Sequence, residues 1–110
     1  MESTSLSALS EELLGLAHAA SAGRASRTVH GGADHALRQT VLALADGRAL
    51  AEHESPGEAT LQVLRGRLRL TVGGDSWEGV AGDLVTIPPA RHALTALEDS
   101  VGLLTVVAAL

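Results

Sequence analysis

The sequence has no cysteine, lysine, tyrosine or phenylalanine, and Trp77 is its sole Phe, Trp or Tyr side chain. Without cysteine, disulfides, thiolate zinc sites and cysteine nucleophiles are excluded. Without lysine there can be no Schiff base. Stacking platforms for bases, sugars or cofactor rings need aromatic faces that this chain lacks. No apolar run approaches the roughly 18 residues of a membrane helix. The N-terminal stretch carries Glu2, Glu11 and Glu12 rather than the basic region of a secretory signal. The expected setting is therefore the cytoplasm, with no membrane partner. All eight basic residues are arginines, and the net charge is −5. That balance argues against nucleic acid, which selects a dense basic face. Arginine without lysine, beside 19 alanines, fits a GC-rich bacterial genome.

What is present is enough for one domain: 110 residues, 45% of them apolar. Leu6, Leu9, Leu13, Leu16, Ala17 and Ala20 follow helical spacing, which predicts an amphipathic helix within residues 5–22. Ser3, Thr4 and Ser5 are candidate caps, Gly23 is a stop, and Gly31-Gly32 is a bend. From Leu37 the period changes to two, and turn signals recur every eight to ten residues. Strands are expected over 37–44, 48–53, 60–64 and 67–72, then around Trp77, then over 84–87, 91–97 and 101–108. Seven or eight short strands with glycine turns indicate an all-β sandwich or barrel. Small and branched side chains suit the inside of such a fold. The division expected is a helix with its connecting segment over 1–35 and a β-barrel over 36–110.

Two glycine-bounded motifs then stand out. The first runs from Gly47 through His53 and Pro56-Gly57 to Gly66. The second runs from Gly82 through Pro88 to His92, with fifteen residues between Gly66 and Gly82. Their spacing resembles that of the cupins, whose motifs are G-x5-H-x-H-x3,4-E-x6-G and G-x5-P-x-G-x2-H-x3-N. The resemblance implies a jelly-roll β-barrel and covers roughly residues 37–108. In metal-binding cupins the ligands are two histidines and a glutamate of the first motif and a histidine of the second. Carried onto this chain, His53 holds the first position and His92 the last. Ser55 stands in place of the second histidine and Ala59 in place of the glutamate, while Ala90 replaces a glycine and Ala96 lies near the asparagine position.

A catalytic transition metal usually needs three protein ligands and an open position. Here two remain, so the expectation is a mostly metal-free protein with no resident cofactor. Glu52, Glu54 and Glu58 are neighbours that strand alternation points away from His53 or from Ala59. His30 and His35 are the remaining candidates for a third ligand. His53 shares its parity with Ala49 and Ala51, and His92 with Leu94 and Ala96. Both histidines are thus expected to face inward, lining one cavity with Ser55. Arg65, Arg67 and Arg69 read as an outward strand face paired with acids. Trp77 reads as packing, Ser55 lacks a His-Asp partner for a nucleophile role, and neither Gly-Gly pair has the following residues of a phosphate loop. Two functions are carried forward. One is a non-catalytic small-molecule binding or sensing module using His53, Ser55 and His92. The other is a metal-dependent dioxygenase or isomerase with His53 and His92 as ligands. A homodimer is expected in either case, through the helix stripe or an edge strand.

Overall fold

The structure is a computed structural model that describes residues 1–54 and 57–108. It opens with α1 (Leu6–Ala19), capped by the Ser5 hydroxyl, which accepts the Ala8 N–H at 3.2 Å. Strands follow in the order β1 (Arg24–His30), β2 (Leu37–Leu44), β3 (Ala49–His53), β4 (Glu58–Arg65), β5 (Arg67–Val72), β6 (Asp75–Val80), β7 (Leu84–Ile87), β8 (His92–Ala96) and β9 (Ser100–Val107). They form two antiparallel sheets, β1-β2-β9-β4-β7 and β3-β8-β5-β6. The two sheets face each other as a jelly roll.

Alternation along the strands decides which side chains the sheets enclose. Leu44, Ala59, Leu61, Val63, Ile87 and Val106 from the larger sheet meet Leu68, Leu70, Leu94 and Ala96 from the smaller. Trp77 packs against this core from β6, its indole lying over Gly79. The opposite face of the larger sheet carries a second core. Val41, Ala43 and Val101 point outward there and receive Leu9, Leu13, Leu14 and Ala17 of α1. The helix stripe is thus covered within the chain, and only Leu16 among its large apolar residues stays half exposed. The stripe therefore gives no reason for a dimer.

One element departs from the expectation. Residues 24–30 read as part of a connection, yet they form β1, paired along its length with β2. The signal is hidden because Arg27 sits between Ala25 and Val29 on the face toward the helix. Its guanidinium forks onto both Glu12 carboxylate oxygens at 3.1 Å, so the strand docks on α1 partly through charge. An apolar alternation test cannot see such a strand.

Candidate functional site

His53 ends β3 and His92 begins β8, and the two are direct cross-strand partners. Their ring centroids lie 4.3 Å apart at an interplanar angle of 63°. His92 is buried and His53 half-buried. Both face a cavity of about 30 Å³ walled by Leu42, Leu50, Leu61, Leu70, Ile87, Leu94 and Leu104. The inward placement of His92 follows from parity, because Leu94 and Ala96 share its buried face. For His53 the parity argument needs correcting. Ala49 and Ala51 are exposed, while Leu50 points into the core. A register shift between Leu50 and His53 then swings the histidine back inward. An extra residue in one strand reverses the facing of everything after it, and nothing in the local composition marks the place.

The ring orientations are fixed by the chain itself. His53 Nδ1 lies 2.9 Å from the Ala51 carbonyl oxygen, and His92 Nδ1 lies 3.0 Å from that of Ala90. A carbonyl can only accept, so each Nδ1 carries the proton, and in the neutral ring each Nε2 is left as a bare acceptor. Neighbouring carboxylates do not share the site. Glu52 and Glu54 are held outside by Arg91, at 2.9 and 3.1 Å. His30 and His35 pair with each other at 5.1 Å, and His35 binds Asp34. Ser55, the third expected site residue, lies outside the described residues. Arg67 and Arg69 share Glu78, and Arg65 reaches Glu11 at 3.9 Å, so that stripe is a paired outer face.

The cupin resemblance implies a metal, and the donors of this site do not fit one. Among the described residues no three His, Asp or Glu side chains converge on one point. Ala59, at the glutamate position, is buried in the core and offers no donor. Two imidazoles without a carboxylate do not make the three-ligand set of a resident catalytic metal.

Among the described residues no helix is long and apolar enough to cross a membrane. No curated protein matches the chain. Among solved structures, a conserved protein of unknown function from Streptococcus pyogenes is 29% identical, with a TM-score of 0.72 over 83% of this chain and 79% of that one. A cupin superfamily protein from Desulfitobacterium hafniense is 18% identical, with a TM-score of 0.71 over 78% of each chain. An HTH_3 family transcriptional regulator from Vibrio cholerae is 18% identical, with a TM-score of 0.66 over 79% of this chain and 52% of its own. The family profile described as "Cupin domain" matches residues 40–108. With that match over β3 to β9, including the whole sheet that holds His53 and His92, the chain belongs to the cupin family.

Proposed function

We propose that this protein is a non-catalytic module that binds or senses a small molecule through the His53–His92 cavity, in the cytoplasm and through contact with another chain. The observation that carries the reading is the pair of bare Nε2 acceptors, held in one tautomer by backbone carbonyls, inside an otherwise apolar wall. Such a pair recognises a hydrogen-bond donor. When protonated it would recognise an anion. The lost carboxylate position at Ala59 weighs against the metal-enzyme alternative, since among the described residues no acid joins the two imidazoles to replace its charge. The Vibrio regulator supports a sensing role, because a barrel of this shape there makes up about half of a transcriptional regulator's chain. The cavity, at about 30 Å³, is far below the roughly 300–1,000 Å³ of an ordinary small-molecule site. It has room for a water or for one end of a ligand.

The test is an imidazole ¹H–¹⁵N spectrum of ¹⁵N-histidine-labelled protein, titrated with a fragment library and separately with Zn²⁺ and Mn²⁺. Fragments are expected to move the His53 and His92 signals together while leaving His18 in place, and His92→Ala should remove the response. No fragment moving either signal would sink the binding reading. Stoichiometric submicromolar metal on these two rings would replace it with the metal-dependent enzyme.

A further inference from the structure

A second space adjoins the histidine cavity. It is an open notch of about 430 Å³ between β1 and β3, where Arg24, Ser26 and Thr40 meet Leu42, Leu50 and Leu104. The same three leucines also wall the histidine cavity. The two spaces therefore share one apolar partition, with the imidazoles on its inner side and a polar rim on its outer side.

The register explains the rim. Ser26 stands opposite Leu42 and Arg24 opposite Leu44, so these β1 side chains fall on the inner face of the larger sheet. The smaller sheet does not extend far enough to cover them, and Arg24 and Ser26 remain exposed. Arg27, Arg65, Arg67, Arg69 and Arg91 each meet a carboxylate, whereas Arg24, Arg38 and Arg48 make no ion pair among the described residues. Of these three, Arg24 is the one that borders the notch. Arg24 thus stands with the Ser26 hydroxyl at the rim of an apolar notch, without a carboxylate of its own. A planar guanidinium fork with an adjacent hydroxyl donor matches a carboxylate.

We propose that this notch is the outer half of the binding site, across the leucine partition from the imidazoles, and takes an aliphatic monocarboxylic acid. The carboxylate sits on Arg24 and Ser26, and the chain lies over Leu42, Leu50 and Leu104, with His53 and His92 on the far side of that partition. The proposal rests on the binding reading above and supplies what the small inner cavity lacks, space for the body of the ligand. The size falls within the range of small-molecule sites. The polarity sets the direction, because the inner space is walled by leucine and isoleucine and holds no fixed positive charge.

The experiment uses the full chain with octanoate as the probe, and octan-1-ol as the comparator of equal chain length. Binding is followed by calorimetry and by the imidazole signals. Octanoate is expected to bind more tightly than octanol. Arg24→Gln should weaken octanoate at least tenfold and leave octanol unchanged. Because Arg24 is exposed and unpaired, the variant should melt with the wild type, which controls for folding. Equal affinity for acid and alcohol, or an Arg24→Gln variant that binds octanoate like the wild type, would overturn the proposal. If fragments move the histidine signals but octanoate does not bind, the notch proposal fails and the binding reading stands. If octanoate binds through Arg24 without moving those signals, the notch is a carboxylate site and its link to the histidines fails.

Discussion

At the scale of single residues, Gly66 and Ser100 form a tight joint between β4, β5 and β9. Gly66 turns β4 into β5 at φ +78°, in the left-handed region that a side chain strains. A Cβ there would come 2.2 Å from the Asp99 carbonyl oxygen and 2.4 Å from Ser100 Oγ. The buried Ser100 hydroxyl accepts the Arg67 N–H at 2.9 Å and lies within hydrogen-bonding distance of the Arg67 and Glu98 carbonyls. Gly47 has a similar φ of +76° but open space around it. The two positions therefore separate strain from collision. Gly47→Val should cost about 1–3 kcal/mol from backbone strain alone. Gly66→Val should cost clearly more, because backbone atoms must also move. Urea denaturation of the two variants measures this, and equal midpoints would show that the collision at Gly66 is relieved. Both turns were legible in the sequence, from Asp46-Gly47 and from the glycine closing the first motif. The facing of His53 was legible only by coincidence. Its parity pointed inward with Ala49 and Ala51, and the bulge after Leu50 delivered the same side by another route.

At the scale of elements, the helix was readable to within a few residues because its stripe is apolar and its cap is a serine. Strand β1 was not, since Arg27 interrupts the apolar alternation on its helix-facing side and contributes through Glu12 instead. The other end of α1 is tied down by a different contact. His18, in its last turn, donates from Nε2 to Asp99 Oδ2 at 2.7 Å, while Asp99 Oδ1 accepts the Asp46 N–H at 2.8 Å. One carboxylate thus joins the helix, the β2–β3 turn and the β8–β9 turn. The Asp46 N–H, and after it His18, hold the Asp99 carboxyl below its ordinary value. A carboxyl depressed in the folded state stabilises the fold above its unfolded pKa, and that contribution disappears as pH falls through the folded value. Asp99→Ala should therefore be less stable than the wild type at neutral pH. The gap should narrow below about pH 4, the ordinary aspartate range, and close once Asp99 is protonated in the folded wild type. Denaturation midpoints of both proteins from neutral to acid pH give the answer. A gap that ignores pH would mean that the aspartate acts only as a space-filler.

At the scale of the whole molecule, period-two alternation with glycine turns was enough for an all-β barrel, and the motif spacing was enough for a cupin. Neither contained the pairing order that makes His53 and His92 direct neighbours, because that depends on contacts far apart in sequence. Nor did they show that the helix would spend its apolar stripe on Val41, Ala43 and Val101. With that stripe covered, a dimer has to use a different surface. Val80 ends β6 and Leu84 begins β7, and both are large apolar residues at least half exposed. A tight turn closes between them, with the Asp83 N–H on the Val80 carbonyl at 2.9 Å and the Val80 N–H on Asp83 Oδ2 at 2.8 Å. The turn sets the two side chains on one corner, where the outermost strands of both sheets end. Neither strand has a partner on its outer side among the described residues, so the corner combines open backbone groups with apolar surface. Such edges pair readily with another chain unless they are blunted by charge or proline. We expect a two-chain mass by light scattering at micromolar concentration, and a one-chain mass for Leu84→Asp with an unchanged melting profile at the single-chain level. A one-chain mass for the wild type would remove the dimer. A two-chain mass that survives Leu84→Asp would move the contact away from this corner, leaving the cross-strand pair Leu37 and Val107 as the other exposed apolar surface on the larger sheet.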